Sequence, residues 1–503
     1  MKKKLFALCL GTLALIACAG NVQKENAKAP AASPSSSSTL AESPAADVKK
    51  SDIPATYKDI VFPEFRYVSP FPADYRVKVS DSITGYVQSD RTLPLIHFNI
   101  FFRDAFVADS LKNEAAYDLL SSMFRRGGSE KLAPQALDDS LEFIAASLAG
   151  GVGTFQDVIS VECMSKDFPQ LLSLVKEVFL SPAFDANALE IQKTGAANAY
   201  EHRFDNPSGI LAALDGYANY MPNPRLWDAT ADEYRKVSRE DLLKISKSRF
   251  RSGRIVFAVA GDFDRDSMAT ALGEYFKDWP VDTSHVSKIS PVLLRKTPGI
   301  YLVDKDISQA NISMSAPFVK RPHPDYYPTA VASFILGGGS FSSRLMARVR
   351  SDNGLAYSIY STVDNDYRDT GLVTIALQTK VESVELALEL IREEIQKLAK
   401  DGPSEEELAN AKKTLIESLP SLFDSPASTT ILFAKGELLG KKDSHYIDYV
   451  DEINRVTAEQ VKQMISKYFD PQKMTVSIVG PKSKLESLGS IKVVPLDSLD
   501  FRK

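Results

Sequence analysis

Histidine, cysteine and tryptophan are scarce in this chain. Its 503 residues include 5 His, 3 Cys and 2 Trp. Cys9 and Cys18 lie within and at the end of an N-terminal apolar segment, and Cys163 stands alone in an apparent strand, so we expect no internal disulfide. No two histidines lie within eight residues of each other. The sequence therefore has no histidine pair at the spacing that lets two side chains on one helix bind zinc.

The chain also has no long basic block and, beyond its N-terminal segment, no long apolar run. A formal net charge of -5 and a pI near 5.8 give no electrostatic footprint for nucleic acid. No interior stretch reaches the length of a membrane-spanning helix. The content of 44% hydrophobic and 25% charged residues is typical of a soluble globular protein, and 503 residues are enough for two to four domains.

Residues 1–18 have the pattern of an export signal. Three lysines precede an apolar run that ends in Leu15-Ile16-Ala17-Cys18, which resembles a bacterial lipobox. We predict that Cys18 is lipidated and tethers the protein to a bacterial membrane, facing the periplasm or the cell surface. The alternative is an ordinary cleaved signal with a coincidental cysteine. Residues 19–57 are rich in Ala, Ser and Pro and are predicted to be a disordered tether.

An internal repeat predicts the architecture. VSREDLLKISKSRFRSGRIVFAVAGDF starts at Val237 and VTAEQVKQMISKYFDPQKMTVSIVGPK starts at Val456, a shift of 456 − 237 = 219 residues. The shift also maps Phe250 onto Phe469 without a gap. Each copy reads as an N-cap, an amphipathic helix and an apolar strand that ends in glycine. Such a repeat is typical of two structurally equivalent lobes.

We therefore predict an α+β fold of two homologous lobes, each a mainly antiparallel sheet with helices packed on one face. The predicted bounds are 58–281 for the N-terminal lobe, 282–298 for a linker, 299–490 for the C-terminal lobe and 491–503 for a tail. Within the first lobe, a helical pattern runs from Pro134 to Leu148. A glycine-rich segment then leads into a strand near Val158.

The stretch GGGSFSSRLMARVRSDNGLAYS, residues 337–358, carries the clearest chemical signal. Apolar residues recur at helical spacing from Phe341, and Asn353-Gly354 then supplies a turn before a strand. Arg350 and Tyr357 should converge across that turn, where a guanidinium and a phenol can clamp a peptide carbonyl or an oxyanion. The alternative is that Arg350 caps a helix C-terminus and Tyr357 is a buried strand aromatic.

The same stretch resembles the C-terminal signature of the pitrilysin, insulinase and mitochondrial processing peptidase family. Arg350 and Tyr357 match the family's R-x-x-x-G-L-A-Y segment, whose Arg and Tyr assist a zinc site in the other half. The resemblance extends over nearly the whole chain after residue 60. It implies two halves that pack face to face around a peptide-holding cleft.

The zinc motif of that family is degenerate here. Active members carry H-x-x-E-H on the first helix of the N-terminal half and a distal Glu on a later helix. The resemblance places Asp118, Ser121, Ser122 and Ala199 at the positions of the first His, the Glu, the second His and the distal Glu. Ser and Ala are not zinc ligands, and one carboxylate cannot hold a transition metal alone. We expect no metal in this chain and zinc only in a partner subunit.

Two functions fit this pattern. In the first, the chain is the non-zinc-binding subunit of a heteromeric metallopeptidase and supplies Arg350, Tyr357 and a peptide cleft to a homologous zinc-bearing subunit. An unfolded peptide would add as a strand to an edge formed by Gly150, Gly151, Val152, Gly153 and Thr154. These glycines could instead mark a bulge or tight bend. In the second, the chain is an inactive scaffold or peptide-binding lipoprotein of the same fold.

Overall fold

The computed structural model describes residues 56, 59–60, 67–103, 114–153, 155–223, 226–251, 254–280, 291–295, 297–364 and 366–499. The chain divides into a unit of residues 1–66 and a unit of residues 67–503. The predicted export signal, Cys18, most of the tether, Thr154 and most of the predicted linker lie outside the described residues. The two lobes both belong to the second unit.

The N-terminal lobe is built from six strands and nine helices within the described residues. In chain order they are α1 (Pro72–Tyr75), β1 (Arg76–Lys78), β2 (Ile83–Ser89), β3 (Leu95–Arg103), α2 (Glu114–Arg126), α3 (Pro134–Phe143), β4 (Ser147–Gly151), β5 (Gln156–Met164), α4 (Phe168–Leu180), α5 (Ala186–Glu201), α6 (Pro207–Asn219), α7 (Ala231–Lys236), α8 (Arg239–Ser246), β6 (Ile255–Gly261) and α9 (Arg265–Lys277).

The C-terminal lobe has six strands and six α-helices in the part of the chain that the structure describes. They are β7 (Gly299–Asp304), β8 (Gln309–Pro317), α10 (Tyr326–Ser333), β9 (Ala356–Val363), β10 (Leu372–Lys380), α11 (Val384–Asp401), α12 (Glu405–Glu417), α13 (Pro426–Leu438), α14 (His445–Arg455), α15 (Ala458–Tyr468), β11 (Thr475–Gly480) and β12 (Ile491–Val493). The strand β12 lies at the start of the predicted tail and pairs with β7.

The two sheets have equivalent strand orders. The N-terminal order is β1-β2-β6-β3-β5-β4 and the C-terminal order is β12-β7-β11-β8-β10-β9. The strand β2 is parallel to β6, and β7 is parallel to β11 and β12, whereas the other neighbouring strands are antiparallel. The predicted α+β fold with two lobes and mainly antiparallel sheets is confirmed.

The 219-residue repeat is visible in the structure. Ser238 and Thr457 each cap a helix with a reciprocal capping box, so α8 and α15 begin with the same hydrogen bonds. The strands that follow, β6 and β11, occupy equivalent central places in the two sheets. Phe250 and Phe469 are both fully buried in the cores of their lobes. The same shift relates the first residues of α5 and α12 and those of α6 and α13.

Each lobe contributes one helix that packs on the sheet of the other lobe. From the N-terminal lobe, Leu214 of α6 packs with Val303 of β7 and Val479 of β11. From the C-terminal lobe, Phe433 of α13 packs with Tyr86 of β2, with ring centroids 5.9 Å apart. Each sheet therefore has its own lobe's helices on one face and a helix of the other lobe on the opposite face. The prediction of helices on one face of each sheet holds for the helices of the same lobe. It did not include the helix that the other lobe places on the opposite face.

One helix of the first lobe is shorter than its sequence pattern predicts. The helix α3 ends at Phe143 and not at Leu148, because Ala145 adopts a left-handed conformation, with φ 47°, that interrupts the helix. Ser147 to Gly151 then form β4, which pairs antiparallel with β5 at the edge of the sheet. In the described part of the chain, no helix combines the length and apolarity that crossing a bilayer requires.

Candidate functional site

The helix α2 carries the residues that stand in the family's zinc-binding positions. It ends at Gly127-Gly128, where Gly128 has a φ of 68° that favours glycine. The carboxylate of Asp118 accepts a hydrogen bond from the hydroxyl of Tyr234 on α7. Burial, together with the nearby charge of Asp118, raises the pKa of Tyr234, so that phenol stays protonated and donates.

The two serines of the degenerate motif also have partners within the protein. The hydroxyl oxygen of Ser121 accepts a hydrogen bond from the backbone N–H of Val152 at 2.9 Å. The hydroxyl of Ser122 donates to the carbonyl of Leu119 at 2.9 Å, and Ala199 is exposed on α5. Within the described residues, no group of three or more His, Cys, Asp or Glu side chains could hold a metal. The donor set around α2 does not fit zinc.

Gly150 and Gly151 lie in the edge strand β4 of the N-terminal sheet, and Val152 and Gly153 follow it. A Cβ atom on Gly150 would lie 2.3 Å from the ring of Phe179, and one on Gly153 would lie 2.7 Å from the carbonyl oxygen of Gln156. Packing inside the lobe and a tight turn therefore explain these two glycines without a ligand. Whether a peptide binds at Gly150 to Thr154 stays a prediction.

A buried ion pair fixes the turn that follows this edge strand. Asp157 on β5 and Arg249 after α8 form a salt bridge, with both side chains almost fully buried. Asp157 also accepts a hydrogen bond from the N–H of Gly153 at 3.3 Å, while Arg249 donates to the carbonyl of Gly153 at 3.0 Å. Both the N–H and the carbonyl of Gly153 are therefore hydrogen-bonded to this ion pair, which holds the end of the edge strand in one conformation.

In the C-terminal lobe the structure brings Arg350 and Tyr357 together. Arg350 lies in a π-helical segment, Met346–Ser351, and the chain turns at Gly354, with φ 62°, before β9. The guanidinium carbon of Arg350 is 5.1 Å from the ring centroid of Tyr357. The Tyr357 side chain is 86% exposed, so it is not the buried strand aromatic of the alternative interpretation.

Sequence reasoning missed a third member of this group. Phe341 was expected on the apolar face of a helix with Leu345, Met346 and Val349, but it is 69% exposed, whereas the other three are buried. Its ring centroid is 4.6 Å from the guanidinium carbon of Arg350. The available signal was the three-glycine run directly before Ser340 and Phe341, because glycines end a helix and remove its neighbours from the buried face.

The described contacts do not join this group to α2. Within the described residues, the hydrogen bond and ring contacts of the Arg350 side chain are to Phe341, Met346 and Tyr357, all in the C-terminal lobe. The lobes do meet next to the glycine-rich edge, where the guanidinium of Arg368 lies 4.1 Å from the ring centroid of Phe155. The two candidate sites therefore lie on different lobes.

A family model described as the Peptidase M16 inactive domain matches residues 236–415. The chain is similar to the non-peptidase homolog YmxG of Helicobacter pylori, with 26% identity over 405 residues, which are 79% of this chain and 91% of that protein. These matches agree with the resemblance to the pitrilysin (M16) peptidase family, whose H-x-x-E-H zinc motif this sequence lacks.

One further relative and two solved structures are also similar to this chain. An uncharacterized zinc protease YmxG of Bacillus subtilis is 25% identical over 377 residues, or 73% of this chain and 88% of that protein. The solved M16 inactive domain from Pseudomonas fluorescens superposes with a TM-score of 0.70 at 22% identity, covering 84% of this chain and 98% of that one. The periplasmic protease PqqL from Escherichia coli superposes with a TM-score of 0.67 at 15% identity, covering 84% and 49%.

Proposed function

We propose that this chain is the zinc-lacking subunit of a heteromeric pitrilysin-family metallopeptidase. Such a subunit holds part of an extended peptide and presents Arg350 and Tyr357 to a site whose zinc belongs to a homologous partner subunit. The observation that carries the proposal is the asymmetry between the lobes. Asp118, Ser121 and Ser122 are committed to contacts within their lobe, whereas Arg350 and Tyr357 converge at the surface.

The chemistry of the pair suits peptide-bond cleavage. Zinc on the partner would supply the activated water. In this chain, the guanidinium of Arg350 and the hydroxyl of Tyr357 are hydrogen-bond donors that can face the carbonyl oxygen on which negative charge develops. Because both side chains are held near each other before substrate arrives, little reorganisation is needed at the moment of reaction. Neither group has to gain or lose a proton in this role.

The edge strand β4 offers a limited docking site for peptide. Beyond Gly151, the next two backbone N–H groups are already used, that of Val152 by Ser121 and that of Gly153 by Asp157. A peptide that adds as a strand can therefore pair with the five residues Ser147–Gly151 and no further in this direction. Ser121, at the position of the family's catalytic Glu, thus helps to end the docking edge.

We further propose that the protein is exported and lipid-anchored through Cys18. The lysine-rich start, the apolar run and the lipobox-like end support this location. A structural neighbour, PqqL, is described as a periplasmic protease. Replacement of Cys18 by Ser should release the protein from membranes into the soluble fraction, and retention of this variant on membranes would contradict the anchor.

The second candidate is an inactive scaffold or peptide-binding lipoprotein of the same fold. Two observations favour it: the matching model is described as an inactive domain, and the Helicobacter pylori relative is called a non-peptidase homolog. The two candidates differ in whether a homologous subunit with an intact H-x-x-E-H motif accompanies this chain. A gene for such a subunit next to that of this chain would support the peptidase.

The decisive experiment is purification of the tagged full chain from its native membrane. We expect a homologous subunit with H-x-x-E-H to co-purify and the complex to cleave an unfolded peptide. In that complex, Arg350→Ala and Tyr357→Phe should lower kcat more than they raise KM, because the lost contacts are strongest in the transition state. Tyr360→Phe, on the same strand, is the matched control. Unchanged kcat in both test variants would leave the pair a structural role only.

A further inference from the structure

Phe341 is held in place although it is exposed. It follows Ser340, which adopts a left-handed conformation with φ 51° that non-glycine residues rarely adopt. The hydroxyl of Ser342 donates to the carbonyl of Gly339 at 2.8 Å, and the hydroxyl of Ser343 donates to the carbonyl of Ser340 at 2.7 Å. A strained turn with two hydroxyl caps therefore presents an apolar ring to solvent. Such strain is typical of ligand-binding positions.

Arg350 differs from the other two arginines of the same segment. Arg344 forms two hydrogen bonds with Glu407, at 2.6 and 2.7 Å, and Arg348 donates to Glu393 at 3.4 Å. For Arg350, the described residues provide no carboxylate partner; its hydrogen bond is a weak one to the sulfur of Met346 at 3.9 Å. Two of the three neighbouring guanidinium groups are thus paired with carboxylates of the protein, and the N–H groups of Arg350 are available to a ligand.

The surroundings of Arg350 select the kind of ligand. A guanidinium that lies over aromatic rings uses its flat faces for them and keeps its in-plane N–H groups for hydrogen bonds. Those N–H groups match the two oxygens of a carboxylate, which can accept two parallel bonds, better than the single oxygen of an amide. The exposed hydroxyl of Tyr357 adds a further donor at the rim.

We propose that Phe341, Arg350 and Tyr357 form a slot for a carboxylate group of an extended peptide. The carboxylate is that of the peptide C-terminus or of an acidic side chain. Phe341 acts as a positioning residue that keeps the guanidinium edge directed outward. The proposal rests on the proposed function in that the ligand is a peptide, and it assigns to Arg350 a charged ligand group in addition to a carbonyl.

The test measures peptide binding to the mature full chain without a partner. The probe is an unstructured twelve-residue peptide with an N-terminal fluorescein and one Glu, prepared with a free C-terminus, with a C-terminal amide, with Gln in place of Glu, and with both changes. By fluorescence anisotropy, we expect removal of the recognised carboxylate to weaken binding about tenfold. The single changes identify whether the C-terminus or the acidic side chain is recognised.

Variants test whether the slot causes this difference in affinity between peptides with and without the recognised carboxylate. Arg350→Lys and Phe341→Leu should abolish most of it, whereas Phe341→Tyr, which keeps a ring, should retain it. Two matched controls should also retain it. Phe143→Leu makes the same change at an aromatic side chain that is 90% exposed on another part of the surface, and Arg348→Lys changes a paired arginine of the same segment.

Three outcomes would overturn the slot. Equal affinity for all four peptides would overturn it and leave the proposed peptide-binding function standing. If Arg348→Lys loses the affinity difference between the peptides to the same extent as Arg350→Lys, the difference comes from general surface charge and not from the slot. Absence of binding by any peptide would also overturn it, and co-purification with a zinc-bearing subunit would then decide the proposed function separately. An unchanged difference in Phe341→Leu would remove Phe341 from the slot.

Discussion

Replacement of Asp215 by Asn should make the protein more stable at neutral pH. Asp215 lies on α6, the helix that packs on the sheet of the other lobe, and faces Ser313 and Ser477, which are opposite each other on β8 and β11. Its Oδ1 and the two hydroxyls are buried and have no hydrogen-bond partner of ordinary geometry within the described residues. Burial raises the pKa of Asp215 from 3.8 to about 6, although the two serine hydroxyls act to lower it.

The sign and size of the effect follow from the two protonation states. Between pH 3.8 and about 6 the folded state keeps a proton that the unfolded state has lost, so stability falls as pH rises through this range. A shift of two pKa units corresponds to about 3 kcal/mol. Asp215→Asn removes this loss. We expect the free energy of unfolding of the variant to exceed that of the wild type by up to about 3 kcal/mol at pH 7.5 and by about 1 kcal/mol at pH 4.5.

The assay is urea unfolding of both proteins at several pH values between 4.5 and 7.5. Asp205→Asn, at a side chain that is 72% exposed just before the same helix, is the control and should change stability by no more than about 0.5 kcal/mol. A difference between Asp215→Asn and wild type that stays constant over this pH range would refute the reasoning. So would destabilisation of the variant at pH 7.5, since the carboxylate would then be stabilised in the folded state.

The pseudo-symmetry of the lobes shows that this polar contact is not required by the fold. The 219-residue shift maps Asp215 onto Ala434 of α13, and Ser477 onto Ala258 of β6. Ala434 and Ala258 are buried in one apolar cluster between α13 and the N-terminal sheet. At this place the two interfaces therefore differ, because one has a buried acid where the other has alanine. Above pH 6 the buried carboxylate of Asp215 is expected to weaken the α6 interface.

Three substitutions test other parts of the structure by urea unfolding. Gly150→Ala should destabilise by about 1–3 kcal/mol, because its Cβ would meet the Phe179 ring, and the added change Phe179→Leu should recover part of this; a neutral Gly150→Ala would contradict the packing argument. Arg249→Met should destabilise by about 3–5 kcal/mol by leaving Asp157 buried and unpaired, and a loss below about 1 kcal/mol would contradict it. Ser425→Ala should weaken α13 by about 1 kcal/mol through loss of its N-cap, so unchanged stability would show that the cap is redundant.

Local signals predicted much of the fold. The N-cap, helix and strand pattern at Val237 and Val456 predicted α8 with β6 and α15 with β11, because capping and hydrophobic periodicity are set by neighbouring residues. The strand β4 was missed since Ser147 and Leu148 continue a helical pattern, and only the backbone turn at Ala145 ends it. The packing of α6 and α13 on the sheets of the opposite lobes joins residues as far apart in the chain as Tyr86 and Phe433, which no local pattern specifies.

The candidate site was predictable to a similar extent. The spacing of Arg350 and Tyr357 around the Asn353-Gly354 turn predicted that the two side chains would meet, and they do. The exposure of Phe341 depends on the conformation of Ser340 and on two hydroxyl caps, which sequence periodicity does not reveal. The commitment of Ser121 to the N–H of Val152 likewise depends on how α2 lies against β4.

The most direct test of the account is the zinc content and peptidase activity of the chain purified alone. Elemental analysis should find no stoichiometric zinc, and an unfolded fluorogenic peptide should remain uncleaved until the homologous zinc-bearing subunit is added. Near-stoichiometric zinc in the isolated chain, together with cleavage that a chelator abolishes, would contradict the assignment of Asp118, Ser121 and Ser122 as a degenerate site.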